Sequence, residues 1–528
     1  RRETPRLMKE RVRTDRWMTR YGLVMAMAGN AVGLGNFLRF PGKAAPFGGA
    51  FMVPYLLALV LLGIPLMWME WTIGRHGGGF GHGSTPGMMH RLWKHPASKY
   101  IGILGILLPA MVGVYYIYIE SWALGYAWQT VAGTYWGKTA HAEMADVFTT
   151  YVGVGGDSAV SFGLHAYVFF VIAFGLNILI LSRGIAKGIE IVATYAMPAL
   201  LLLGVLLTAR VLTLPPVEGR TISDGLAQIW RVDDWSVLKR TDVWIAATGQ
   251  IFFSLSVGLG MVHSYASYLQ KHEDMTLSGL TSCSTNEFVE VILGGTIAVP
   301  AAVLFFGVAE TRGIVQQGPF ALAFHALPVI FQRMPAGQFF GAAWFILLFL
   351  AGLTSSMAMF TPLMLFLEDE LRLPRKKAAL SIAVGAFLFS QPVVLFLHRG
   401  VLDEIDYWMG DLGLVVFGAA EAVIFAWIYG MAKGWEELHR GADLRVPRVF
   451  FFVMKYITPT YAVALLAWYL YDGFWAKLTM EGAPPDKRMF LWLARGMILA
   501  VTVFLIWGVR HAWRTHPKFF EEREGASS

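Results

Sequence analysis

The sequence predicts an all-α integral membrane protein with twelve transmembrane helices. They are expected as inverted five-helix repeats with unwound first and sixth helices, plus two extra helices. Three observations carry that expectation. Apolar runs of about 20 residues, enough to cross a bilayer, recur along the chain, as in AFMVPYLLALVLLGIPLMWM (50–69) and AYVFFVIAFGLNILIL (166–181). Two spans are interrupted by glycines and polar residues around the same string, Val-Gly-Leu-Gly. Basic residues gather in particular connections.

The spans are expected to start near residues 20, 50, 98, 163, 189, 243, 277, 338, 376, 402, 449 and 489. The 528 residues are 56% hydrophobic and 15% charged, below the roughly 25% charged content of soluble domains. The net charge of +7 does not point to nucleic acid, because the basic residues are localised. Eight of them, from Arg1 to Arg20, precede the first span against three acids. Arg75, Arg91, Lys94 and Lys99 lie around the second connection, and LRLPRKK (371–377) follows the eighth span. The connection at 132–162 has one lysine against Glu143, Asp146 and Asp157. Loops rich in Lys and Arg stay cytoplasmic. Both termini are therefore expected inside, as an even number of spans requires, in the cell inner (plasma) membrane. No cleavable signal peptide is expected. The single cysteine, Cys283, excludes an intrachain disulfide and disfavours a metal cluster.

On this reading residues 1–19 form a cytoplasmic segment carrying inner-gate residues, and 20–211 the first five-helix repeat. An extracellular connection at 212–242 leads to the second, inverted repeat at 243–430. Residues 431–528 hold the last two helices and a cytoplasmic tail.

The first break, GNAVGLGNFLRFP (29–41), lies in span one, and the second, GQIFFSLSVGLGMV (249–262), in span six. Five spans per unit reverse the orientation of the second copy. Paired glycine-interrupted segments in corresponding halves point to a transporter's substrate site. Unwound backbone at membrane depth is tolerated only inside protein or beside a cavity. There, freed carbonyls can hold a cation and half-helix N-termini a carboxylate. Either break alone reads as helix packing through small residues; two related breaks flanked by Asn30, Asn36 and Ser254 favour a site.

The strings AGNAVGLGNFLRFP, GQIFFSLSVGLG, YYIYIESW (115–122), SGLTSCSTNEFVEVILGG (278–295) and AGLTSSMAM (351–359) resemble the neurotransmitter:sodium symporters. The likeness is greatest to the family's bacterial leucine-transporting branch and runs from about Trp17 to the last spans. It implies two sodium ions as cofactors. The first would be held by the Ala31 carbonyl with Asn36, Ser254 and Asn286, and by the substrate carboxylate. The second would take the carbonyls of Gly29, Val32 and Ala351 with the hydroxyls of Thr354 and Ser355. Glu290 stands where chloride-dependent relatives have serine, so the resemblance implies charge balance without chloride. Glu287 and Glu70 read as buried structural partners.

For the substrate pocket the resemblance implies Asn30, Ala31, Gly33, Leu34 and Gly35 of the first break, with Val112 and Tyr116 of span three. Phe253, Ser254, Ser256 and Leu259 would join from span six, and Ser355 and Met359 from span eight. Monoamine-carrying relatives have aspartate at the position of Gly33, so glycine implies a substrate bringing its own carboxylate. Leu259 and Met359 depart from the phenylalanine and isoleucine of the leucine-transporting branch but remain apolar, which favours a hydrophobic α-amino acid. Leucine, methionine and the aromatic amino acids stay open. Arg39 and Asp406 match an extracellular gate, with Lys43 one turn beyond Arg39. Trp17, Ser267, Tyr268 and Asp369 match the inner gate. The arginine expected three residues before the tryptophan is replaced by Thr14, leaving Arg13 or Arg16 to pair with Asp369. In GIEIVATYAMP (188–198) the glycine and proline that let the fifth span unwind in relatives are kept.

The function implied is sodium-coupled uptake of a neutral, hydrophobic α-amino acid by alternating access, without catalytic residues. The expected partners are that substrate and the lipid bilayer, with no nucleic acid; a homodimer stays open. A transport-silent amino-acid sensor is the nearest rival, through the Thr14 departure. An enzyme is disfavoured by the lack of His-Glu-x-x-His and Gly-x-Ser-x-Gly strings. A channel is disfavoured because gating pairs would occlude a pore.

Overall fold

The computed structural model describes residues 16–154 and 160–521. The described residues are helical apart from turns and one isolated bridge, Val217–Arg220. The first span is two helices, α1 (Arg20–Ala31) and α2 (Gly35–Ala44), bent by 42°. Next come α3 (Gly48–Gly78), α4 (Ser98–Ala132) and α5 (Leu164–Leu212). Two short helices follow, α6 (Thr241–Ser254) and α7 (Met261–Ala266). The remainder are α8 (Thr276–Phe306), α9 (Gly337–Glu370), α10 (Arg375–Leu395), α11 (Val401–His439), α12 (Val449–Tyr471) and α13 (Pro485–Thr515).

Among the described residues, nine helical runs are long and apolar enough to cross a membrane, or ten if α1 and α2 count as one span. The expected twelve are not reached for two physical reasons. The spans expected near 163 and 189 run together as the 49 residues of α5. The span expected near 243 is too interrupted between α6 and α7 to pass as one apolar helix. Within α5 the backbone leaves helical geometry at Gly184, whose φ of +94° favours glycine, and continues through a π-helical turn, Ile185–Ile189.

Burial separates the centre from the rim. The apolar windows of α4, α8 and α9 are 83%, 89% and 83% buried by other protein, against 17% for α13. The centre is tight because small residues let helices approach closely. A Cβ on Gly113 of α4 would stand 2.8 Å from the Phe360 ring. One on Gly352 of α9 would stand 2.8 Å from Glu120 Cγ of α4. Rim helices expose Tyr195, Leu202, Leu499 and Trp507, as surfaces facing lipid do.

One carboxylate fastens α1 to α5. Glu190 accepts hydrogen bonds from the backbone N–H groups of Met18 and Thr19, at 2.7 and 2.9 Å, and from the Thr19 hydroxyl at 3.0 Å. Thr19 in turn caps the helix by accepting from Gly22 N–H at 2.9 Å.

Candidate functional site

The two breaks meet at the centre. After Ala31, the last residue of α1, Val32 turns to an extended conformation, and Gly33 leads into α2. Two side chains receive the freed backbone N–H groups. Gly33 N–H donates to Asn36 Oδ1 at 2.8 Å, and Leu34 N–H donates to the Tyr116 hydroxyl at 2.9 Å. In the second break Ser256, Gly258 and Gly260 all have positive φ, of 56°, 73° and 78°. A Cβ on Gly258 would stand 2.6 Å from the Leu414 carbonyl oxygen, so glycine is required there twice over. The breaks touch through Ser256, whose hydroxyl donates to the Asn30 carbonyl at 3.0 Å.

Tyr116, Ser355 and Phe253 of the expected pocket reach the first break. The ideal Cβ position of Gly33 lies 2.6 Å from the Tyr116 hydroxyl and 2.7 Å from Ser355 Oγ, which brings α4 and α9 to the break. Phe253 packs 2.8 Å from the corresponding position on Gly35. Val112 lies one turn before Tyr116 on α4, beside Gly113, which faces Met359. Leu34, Leu259 and Met359 are buried. Asn30 is 1% exposed, yet neither its side-chain oxygen nor its nitrogen has a hydrogen-bond partner.

The residues expected at the first sodium site form a buried chain of hydrogen bonds. Asn36 Nδ2 donates to Asn286 Oδ1 at 2.8 Å, and Asn286 Nδ2 donates to Ser254 Oγ at 2.7 Å. Ser254 donates to Glu290, which also receives Gln250 Nε2 at 3.0 Å and the Tyr55 hydroxyl at 2.9 Å. Tyr55 also reaches Glu287 at 2.7 Å, tying that acid to the same network. At the expected second site Ser355 Oγ lies 3.2 Å from the Gly29 carbonyl and 3.3 Å from that of Val32. The Thr354 hydroxyl turns back to its own helix, donating to Leu350 and Ala351 carbonyls at 3.0 and 3.2 Å. Buried carbonyl, amide and hydroxyl oxygens suit a hard monovalent cation. The partnerless Asn30 amide adds a polar group that the protein leaves unsatisfied.

The extracellular pairing differs from the expected one. Arg39 makes its ion pair with Asp411, not with Asp406. Asp406 instead accepts from the Tyr115 hydroxyl at 2.5 Å. The cause is local: Asp406–Leu412 is π-helical, so residues five apart share a face and Asp411 swings over Arg39. The Arg39 guanidinium also lies 4.3 Å from the centre of the Phe253 ring, covering the pocket. Lys43 is exposed. On the opposite side, Trp17 Nε1 donates to the Tyr265 carbonyl at 3.3 Å, with the two rings edge to face. Ser267 donates to the Ser264 carbonyl at 2.7 Å, and Asp369 accepts from Gly83 N–H at 3.1 Å. Tyr268 is buried nearby in sequence. Arg13 and Thr14 lie outside the described residues, whereas Arg16 is described and exposed.

Asp411, Gln250 and Tyr55 were missed from the sequence. Gln250, a polar residue within an apolar run, was the one with a visible signal.

Comparison with known proteins agrees with this architecture. The profile of the sodium:neurotransmitter symporter family matches residues 14–154 and 155–503, and the chain belongs to that family. Its members are transporters rather than enzymes. An uncharacterized sodium-dependent transporter of Methanocaldococcus jannaschii is 29% identical over 463 residues, spanning 86% of this chain and 89% of the relative. The sodium- and chloride-dependent glycine transporter 2 of Xenopus laevis is 25% identical, over 88% of this chain and 65% of its own. The crystal structure of MhsT in complex with L-phenylalanine superposes with a TM-score of 0.75 and 26% identity, covering 86% of this chain and 99% of MhsT.

Proposed function

We propose that the chain is a sodium-coupled symporter that takes up a neutral, hydrophobic α-amino acid by alternating access, without a chloride requirement. One observation carries the reading. Two broken helices meet where Gly33, lacking a side chain, lets Tyr116 and Ser355 close against its backbone, ringed by buried oxygen donors and apolar side chains. The Tyr116 hydroxyl and the backbone at 33–35 would bind a substrate carboxylate, with Val112, Phe253, Leu259 and Met359 around its side chain. A relative crystallised with L-phenylalanine supports an amino acid of this kind.

Two sodium ions would supply the positive charge that a carboxylate needs in a buried site. Asn36, Ser254, Asn286 and the Ala31 carbonyl would hold one. Ser355, Thr354 and the carbonyls of Gly29, Val32 and Ala351 would hold the other. Glu290, touching Ser254, supports charge balance by the protein itself.

Splitting α5 at Gly184 and counting α6 with α7 as one broken span gives twelve spans. That count supports inverted repeats at 20–211 and 243–430 and two cytoplasmic termini. Arg39 with Asp411 would close the outer path, and Trp17, packed against Tyr265 of α7, the inner one.

Uptake of labelled leucine, methionine and phenylalanine into proteoliposomes, with and without an inward sodium gradient, tests the proposal. Concentrative uptake only with sodium is expected. Saturable binding without any sodium-driven accumulation would favour the sensor reading instead.

A further inference from the structure

Glu70 on α3, His263 on α7 and Glu421 on α11 meet beside the second break, outside the residues given to substrate or sodium. Each is 0% exposed. One oxygen from each carboxylate and one ring nitrogen all lie within 4.8 Å of one another. His263 Nδ1 stands 3.3 Å from Glu70 Oε2, and Nε2 stands 3.3 Å from Glu421 Oε2. Neither nitrogen makes a hydrogen bond, and the same holds for Glu70 Oε2 and both oxygens of Glu421. Five polar atoms are thus gathered at one buried point without partners, which is costly unless something else joins them. No side-chain cation does. Among the described residues no lysine or arginine forms an ion pair with Glu70 or Glu421.

We propose that Glu70, His263 and Glu421 bind a divalent transition-metal ion of the zinc class, which pins α7 to α3 and α11. Zinc bonds to nitrogen and oxygen of about 2.0–2.1 Å set tetrahedral ligand atoms roughly 3.3–3.4 Å apart. Each carboxylate already stands that far from the ring nitrogen it faces. It does so without the alignment of a hydrogen bond, as ligands aimed at a common ion do. The farthest pair of the set is at most 4.8 Å apart, so a turn of one carboxylate closes it. With the ion on one ring nitrogen the other keeps its N–H, and a carboxylate oxygen lies beside it to receive that hydrogen.

Charge and ligand type select the ion. Two carboxylates, a neutral imidazole and a dication sum to zero, which suits a buried position between helices. The imidazole nitrogen separates this set from the all-oxygen surroundings that sodium, magnesium and calcium prefer, and favours a transition metal. Three protein ligands leave a fourth position for water. The remaining oxygen of Glu70 accepts from Gly258 N–H at 2.6 Å, within the loop that carries Ser256 and Leu259. An ion held by Glu70 therefore steadies the second break from outside the substrate pocket.

The inference does not depend on which amino acid is carried, so its test needs none. The purified full chain, free of any affinity tag, is stripped with a chelator in detergent at constant sodium and titrated with zinc chloride. Stoichiometric zinc should stay bound through gel filtration. The chelator should lower the melting temperature and zinc should restore it, since an ion bound only by the folded state stabilises that state. His263→Gln and Glu421→Gln should each weaken zinc binding by at least the roughly 10–100-fold that loss of an outer partner costs. Should both variants fail to fold, X-ray absorption at the zinc edge of the loaded wild type decides. One imidazole with oxygen neighbours upholds the site; several imidazoles, or oxygen alone, overturn it. No saturable zinc uptake, zinc held equally by wild type and His263→Gln, or a melting temperature indifferent to chelator and zinc also overturns it.

Discussion

A methyl group on Gly33 would stand 2.6 Å from the Tyr116 hydroxyl oxygen, inside van der Waals contact. The break in the first span and the middle of α4 are therefore fitted to each other around a missing side chain. Gly33→Ala should displace the Tyr116 hydroxyl or Ser355 and reduce amino-acid affinity by about tenfold or more, equivalent to ~1.4 kcal/mol. Competition binding in saturating sodium measures it. Unchanged affinity would place the substrate elsewhere.

The gate pairing makes a second test. Asp411→Asn removes the charge that faces Arg39, whereas Asp406→Asn removes a charge outside that pair and keeps an amide oxygen to accept from the Tyr115 hydroxyl. The Arg39–Asp411 pair is partly solvated, with side chains 14% and 27% exposed, so its loss is discounted to ~1–2 kcal/mol. Labelled amino acid should dissociate roughly five- to thirtyfold faster from Asp411→Asn, and less so from Asp406→Asn. The reverse order would restore Asp406 as the working partner.

Asn286 connects Asn36 to Ser254. Asn286→Ala strands both and should weaken sodium binding by about tenfold or more. Withdrawal of sodium should lower the wild-type melting temperature, since a ligand of the folded state stabilises it by mass action. That response should be blunted in the variant. A full response in Asn286→Ala would remove it from the ion site.

Glu290 receives three hydrogen bonds, from Ser254, Gln250 and Tyr55. Uptake should survive replacement of chloride by gluconate, and Glu290→Ser should make it chloride-dependent. A wild type that already needs chloride would end the charge-balance argument.

Leu259 and Met359 are buried at the expected side-chain end of the pocket. Leu259→Phe with Met359→Ile should shift preference among leucine, methionine and phenylalanine. One methylene in an apolar pocket corresponds to ~1–3 kcal/mol, or about 10–200-fold. If stability drops while the ranking of substrates stays the same, both residues serve packing alone.

The two breaks were legible because glycine, asparagine and serine are conspicuous in an apolar run. Asn36, Ser254 and Asn286 could be placed together only through the family resemblance, since they lie on three separate helices. Asp411 was not legible. A regular α-helix puts it on a different face from Asp406, and nothing in YWMGDLG announces the π-helical turn that brings it to Arg39. His263 was hidden for a related reason. Its partners are Glu70 and Glu421, nearly two hundred and about one hundred and sixty positions away along the chain, and only the packing of three helices joins them. The fourth and fifth spans run on as α5 because the turn between them is confined to Gly184, at φ +94°, with helix on both sides and no connecting loop.

The Glu190 carboxylate works as a rivet between α5 and the start of α1. It sits one residue beyond the π-helical turn of α5 and holds Met18 and Thr19, the two residues leading into α1, by three hydrogen bonds. Gly22 leaves no room for a side chain against it, so the head of α1 and α5 are seated backbone to carboxylate. Loosening the turn at 185–189 therefore uncovers the donors at the start of α1, and swinging α1 outward strands the carboxylate.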